Sequence, residues 1–223
     1  MEAVVKLGGS LAETPDALKT LGVELRRLAK KHSFLVVPGG GRFADAVREY
    51  DKRLSLEPAG SHWLAILAMD LYGQLLTRVI PESRACTSLD EAEHFSRKGQ
   101  VTILLPSILM SENDPFEPSW DVTSDAIAAC IATRLQAKKL VLITDVDGIF
   151  TQDPKLQPNA RLLRQVRAEE LLLRPERTSV DRALPRVLLH SKLSCCVVNG
   201  RYPKRIGAVL SGQQVVCTRI VPT

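Results

Sequence analysis

Aromatic residues are scarce: Phe, Tyr and Trp make up 4% of the 223-residue chain. Few rings are therefore on hand for stacking single-stranded nucleic acid. The basic residues behind the net charge of +5 are scattered rather than gathered in one stripe. Arg26, Arg27, Lys30 and Lys31 close a predicted helix, where cations complement the dipole. The excess reads as attraction for anionic small molecules, and no nucleic-acid partner is expected. No apolar run approaches the ~20 residues of a membrane span, so no membrane partner is expected either. Residues 1–6 show no basic region ahead of a hydrophobic stretch, which predicts no signal peptide and a cytoplasmic protein. Cys86, Cys130, Cys195, Cys196 and Cys217 form no C-x-x-C pair and read as reduced thiols of the core. No cluster of His, Cys or carboxylates has metal-ligand spacing, so no protein-held metal is expected. Gly-Lys-Ser/Thr is absent, which excludes a Walker A loop. There is no internal repeat and no low-complexity tract.

What the chain does have is two glycine-rich turns, each at the end of a predicted strand. Residues 4–7 run into Gly8-Gly9-Ser10, with Lys6 beside the turn. Residues 34–37 run into Pro38-Gly39-Gly40-Gly41, followed by Arg42. Glycine lets backbone N–H groups face an anion at close range, and a helix start just beyond adds partial positive charge. Two such turns on two strands predict two neighbouring anion sites, as a phosphoryl donor and its acceptor require. Gly39 to Ala44 also satisfies a loose G-x-G-x-x-A dinucleotide pattern. No strand ending in an acid follows about 20 residues on, as that pattern requires.

Helix and strand signals alternate along the chain. A helix is predicted over 15–31, with Leu18, Leu21, Leu25 and Leu28 on one face. Phe43, Ala46, Val47 and Tyr50 give the apolar face of a second. Residues 61–79 are apolar on most sides and predict a long buried helix. Ser88 with Glu91 makes a capping box for a short helix ending before Gly99. A strand over 101–105, an irregular Pro-rich stretch over 111–119, a helix over 126–135 headed by Asp125, and a buried strand over 140–143 follow. The turn Asp145-Val146-Asp147-Gly148, a polar loop, a strand over 195–198, the turn Asn199-Gly200 and a last strand over 215–221 complete the pattern. The reading is α/β, with a largely parallel central sheet whose strand ends carry both glycine turns.

In order along the chain stand Lys6-Leu7-Gly8-Gly9-Ser10, Pro38-Gly39-Gly40-Gly41, Thr123-Ser124-Asp125, and Thr144-Asp145-Val146-Asp147-Gly148-Ile149-Phe150 with Asp153-Pro154. This series resembles the amino acid kinase superfamily over nearly the whole chain. The resemblance implies an αβα sandwich forming a single domain over 1–223, with an acceptor lobe over about 1–135 and a nucleotide lobe over about 136–223. It implies ATP as donor, with Mg²⁺ held mainly by the nucleotide phosphates. Lys6 matches the lysine that reaches the transferring phosphoryl group, where fixed charge stabilises a loose transition state. Asp125 matches the aspartate that orients the catalytic cations. Gly8, Gly9 and Ser10, with Thr144, Asp145, Gly148 and Asp153, match the nucleotide site. The family's second catalytic lysine has no counterpart; Arg186, after Pro185, stands nearest, with Arg182 and Lys192 as rivals.

Segments 60–73, 120–125, 180–185 and 197–200 further resemble one branch, the aminomethylfuran methyl phosphate kinases of methanofuran-type cofactor synthesis. The resemblance implies a small phosphorylated substrate converted to its diphosphate. A phosphate acceptor is mostly ionised at neutral pH and needs charge compensation rather than a general base. Gly39, Gly40, Gly41, Arg42, His62 and Thr123 are the candidates to hold it. Asp45 and Asp70 are candidates for pairing with a substrate ammonium. A uridylate or isopentenyl phosphate kinase, a carboxylate acceptor, and an anion-binding protein without turnover remain alternatives. A homo-oligomer is expected.

Overall fold

Two short apolar runs become adjacent strands, β1 (Ala3–Leu7) and β2 (Phe34–Pro38), paired parallel with Ala3 opposite Phe34 and Leu7 opposite Pro38. The computed structural model describes residues 1–174 and 178–222. β1 pairs on its other side with β5 (Lys139–Thr144), again parallel. The remaining strands are β3 (Ser83–Cys86), β4 (Val101–Leu104), β6 (Gln165–Arg167), β7 (Cys195–Asn199) and β8 (Thr218–Val221). They form one eight-stranded sheet of order β3-β4-β2-β1-β5-β7-β8-β6, parallel except between β7 and β8.

Alternate residues of the central strands feed two cores, one on each face. Val4, Leu35, Leu140 and Leu142 pack with Ile127 and Ile131 of α6 (Ser124–Arg134) on one side. Val5, Leu7, Val36 and Val141 pack with Leu18, Leu21 and Leu25 of α1 (Pro15–Ala29) on the other. The strands are apolar at nearly every position because both faces are covered, which is the rule for parallel sheets. Helices α2 (Gly41–Leu54), α3 (Pro58–Val79), α4 (Leu89–Arg97), α5 (Ser107–Glu112), α7 (Ala168–Leu172), α8 (Leu184–Ser191) and α9 (Lys204–Leu210) complete the layers. The molecule is an αβα sandwich.

The chain leaves β1 toward β2 on one side, while β5 joins β1 on the other. This reversal of winding opens a crevice at the carboxyl ends of β1 and β5, where α/β sheets take ligands. The two glycine turns meet there. A Cβ on Gly9 would lie 2.1 Å from Gly41 Cα, and Gly41 itself has φ of +54°. The turns are glycine because their backbones touch.

Several expectations need correction. The helix over 61–79 begins at Pro58 and is not wholly buried: Leu64, Leu71 and Leu75 are exposed. On the apolar face of α2, Val47 is half-buried while Phe43, Ala46 and Tyr50 are exposed, and the helix's buried residue is Ala44. The capping box at α4 is displaced by one residue: Ser88 Oγ accepts from Glu91 N, but Glu91 Oε2 accepts from Thr87 N.

Candidate active site

Lys6 is the one charged residue of β1, lying between Val37 and Leu142 of the flanking strands. Its side chain is 13% exposed, and Nζ stands 2.8 Å from Asp125 Oδ1, whose side chain is 7% exposed. Asp125 sits in the first turn of α6, where the helix dipole favours a carboxylate.

A second carboxylate holds this arrangement from a distant loop. Asp181 Oδ2 accepts from Thr123 N at 2.9 Å, Thr123 Oγ1 at 2.8 Å and Ala126 N at 3.0 Å, and Oδ1 accepts from Leu184 N at 2.7 Å. Its own N–H donates to Asp125 Oδ2 at 3.2 Å. Asp181 thus caps α6, whose N-cap Thr123 makes no side-chain cap bond of its own, and it also engages the start of α8. Burial and the nearby charge of Asp125 push the Asp181 carboxyl up to about 6.

Two adjoining cavities open beside these residues. The first, of about 660 Å³, is lined by Gly39, Gly40, Gly41, Arg42, His62 and Thr123, together with Gly9 and Ser10. The second, of about 830 Å³, is lined by Asp125, Thr144, Asp145, Gly148, Asp153 and Asp181. Arg48, Trp120 and Thr123 line both and mark the seam.

Several charges in each cavity are paired. Arg42 forms two bonds to Glu13, at 2.6 and 2.5 Å, and holds that carboxyl below its usual range. His62 Nε2 lies 2.7 Å from Asp114 Oδ2. In the second cavity Asp145 meets Lys155 at 2.7 Å. Burial pushes the Asp145 carboxyl up, but the bonds from Lys155 and Ser10 prevail and hold it low. Asp153 Oδ1 accepts from Lys155 N at 2.8 Å, shaping the loop.

Thr144, Asp145, Gly148 and Asp153 are therefore brought together, as are Gly39 to Arg42 with His62. Gly9 and Ser10 border the first cavity rather than the second, although Ser10 reaches Asp145 across the turn. Gly8 lines neither cavity; its N–H donates to Ile143 O at 2.8 Å and its carbonyl accepts from Tyr72 Oη at 3.3 Å. Arg186 is not brought to the site. Pro185 faces the second cavity, and the next residue on α8 is turned about 100° around the helix to an exposed position. Arg182 lines the second cavity, whereas Lys192 caps the far end of α8 in a left-handed conformation. Asp70 also lies elsewhere: it accepts from Ser107 N and Oγ, at 3.2 and 2.5 Å. Asp45 lines the first cavity and bonds Arg48 at 2.8 Å. Sequence reasoning missed Asp181, Arg48, Trp120 and Asp51. The only signal was that Asp181 and Trp120 fall within segments already singled out.

Residues 1–199 match the amino acid kinase family. The chain belongs to that family. It is 37% identical over 220 residues to the [5-(aminomethyl)furan-3-yl]methyl phosphate kinase of Methanocaldococcus jannaschii, covering 98% of this chain and 97% of that protein. It is 30% identical over 176 residues to the uridylate kinase of Thermococcus kodakarensis, covering 77% and 75% of the two chains. Among solved structures, uridylate kinase from Archaeoglobus fulgidus superposes with a TM-score of 0.77 at 24% identity, covering 99% of this chain and 100% of that one. Aspartate kinase from Synechocystis gives 0.72 at 18% identity, covering 100% of this chain and 40% of that one. The chain is thus an ATP-dependent kinase.

Proposed function

We propose that this kinase transfers the γ-phosphoryl group of ATP to the phosphate of an aminomethylfuran methyl phosphate, yielding the diphosphate. The observation that carries the reading is the pair of adjoining cavities with the Lys6–Asp125 pair beside them. The second cavity takes ATP through Thr144, Asp145, Gly148 and Asp153. The first takes the acceptor phosphate through the Gly39–Gly40–Gly41 turn, Arg42, His62 and Thr123. Asp45, Glu13 and Glu49 line the same cavity and offer carboxylates to the substrate ammonium. Lys6 stabilises charge on the transferring phosphoryl oxygens, and Asp125 aims Lys6.

Among the described residues no group of three or more His, Cys, Asp or Glu is placed to hold a metal. The carboxylates at the junction, Asp125 and Asp181, are too few for an all-protein cage. Mg²⁺ enters on the ATP phosphates and neutralises part of their charge. The substrate assignment rests on the 37%-identical relative, and uridylate kinases are also among the relatives. Measuring kcat/KM for aminomethylfuran methyl phosphate, its des-amino analogue, UMP, isopentenyl phosphate and acetylglutamate side by side tests it. The aminated furan should exceed the des-amino analogue by no more than about tenfold, because the carboxylates offered to its ammonium are exposed and screened by water. A higher value for UMP would replace the substrate claim and leave the kinase standing. ATP binding without transfer to any of the five would mark an anion-binding protein.

A further inference from the structure

The transferring group must cross the seam between the cavities, and the buried charges beside it, Lys6 with Asp125 and Asp181, do not by themselves favour an anion. Lys6 is matched by Asp125 at 2.8 Å, so that pair is neutral. Asp181 adds another carboxylate beside it. ATP and a phosphate acceptor then bring further negative charge. A cation placed to face both cavities is required, and Arg186 is exposed elsewhere on α8.

Arg48 meets the requirement, because its partner Asp45 is 68% exposed and screened by water, whereas Asp125, at 7%, offsets Lys6 directly. Among the described residues it is the cation that lines both cavities. Its guanidinium carbon lies 4.8 Å from the centroid of the Trp120 ring, and Nη1 donates to Asp45 Oδ1 at 2.8 Å. Trp120 is itself fixed: Nε1 donates to Asp51 Oδ2 at 2.7 Å, and Asp51 Oδ1 accepts from Ser61 Oγ at 2.8 Å. A chain of contacts therefore runs from the first turn of α3 to a guanidinium at the seam. Stacking on a ring face holds a planar cation without consuming its N–H groups. Asp45 engages one nitrogen of a group with five N–H donors, so the remaining edge is available to phosphate oxygens.

We propose that Arg48 is a catalytic residue that touches the phosphoryl group in transit and supplies the second positive charge of the reaction. The inference rests on the assignment of donor and acceptor cavities above. In the step, an ionised acceptor oxygen forms its bond to the γ-phosphorus as the bond from that phosphorus to the β,γ-bridging oxygen breaks. The electron pair leaves with ADP, and no proton needs to move. Charge on the three equatorial oxygens is shared by Lys6 from the sheet and Arg48 from the seam.

The test compares wild type, Arg48→Ala, Arg48→Lys and Trp120→Phe, using whichever of the five acceptors the wild type uses best. Arg48→Ala should lower kcat by ~10²–10³-fold while KM for ATP and acceptor stays within a few-fold. Added methylguanidinium should restore part of that kcat. Arg48→Lys should fall between, keeping charge but losing the fork. Trp120→Phe keeps a ring face but loses its bond to Asp51, and should lose less and not respond to methylguanidinium. A kcat for Arg48→Ala near that of wild type, a loss confined to KM, or a kcat loss that methylguanidinium leaves untouched would each overturn the proposal. Because each variant is read as a ratio to wild type with the same acceptor, a preference for UMP would displace the acceptor claim alone.

Discussion

Lys6 is a buried cation whose position makes sense only with its partner. Taking an ammonium and a carboxylate out of water costs more than their attraction returns unless the geometry is close, and here it is 2.8 Å. Removing one partner leaves the other buried and alone, at a cost of about 3–5 kcal/mol. Lys6→Met and Asp125→Asn should each lower the urea midpoint, and the double variant should recover much of the loss. Either single change should also cut kcat by ~10²–10³-fold, the scale of one transition-state donor. Near-normal turnover in both would make the pair structural. Both residues were singled out through the resemblance of their motifs, and their contact comes only from the fold. Asp181 was not readable. Its four donors come from Thr123, Ala126 and Leu184, residues more than 50 positions away on one side and three on the other. No local pattern encodes such a set.

At the scale of elements, Asp181 joins the starts of α6 and α8 through one side chain. Folding raises its carboxyl from the ordinary 3.8 to about 6, first through burial and then through the charge of Asp125. The folded chain therefore holds this proton more tightly than the unfolded chain does. The stability contributed by protonated Asp181 is fully present below the ordinary carboxylate value and is lost as pH rises through about 6. Asp181→Asn stays neutral throughout and keeps one carbonyl acceptor for the helix N–H groups. Urea midpoints of the two proteins at pH 4 and pH 7.5 should thus diverge, with the change in pH moving the comparison against wild type. Parallel profiles would show that Asp181 titrates normally in the fold. Elements with strong periodicity or uniform apolarity, such as α1, β1, β2 and β5, were legible in advance. β3 was not, since Ser-Arg-Ala-Cys at a sheet edge carries no strand signal, and three-residue β6 is shorter than any pattern. For α3 the hydrophobicity was read correctly and its meaning was not: an apolar helix surface can face a core or another molecule.

For the molecule as a whole, that exposed surface matters most. The sandwich closes both faces of its sheet, yet α3 leaves Leu64, Leu71 and Leu75 in the open at 41%, 56% and 36% exposure. Their spacing of seven and four residues puts them on one stripe, along a 22-residue helix that spans about 33 Å. A straight stripe of leucines is self-complementary under a two-fold axis, since ridges of one copy fit grooves of the other. The homo-oligomer expected from the sequence would cover this stripe with a second copy of the chain. The pairing would also brace the acceptor side, because α3 carries His62 and Ser61 in its first turns. Light scattering coupled to size exclusion should return twice the chain mass for wild type. Leu71→Glu combined with Leu75→Glu, which places like charges across the axis, should return a monomer with an unchanged circular dichroism spectrum. A wild-type protein that elutes as a monomer at micromolar concentration would leave the stripe without its partner and the expectation without support. If the double variant stays dimeric, the contact lies on another face, and the exposed α2 residues Phe43, Tyr50 and Leu54 become the surface to change next.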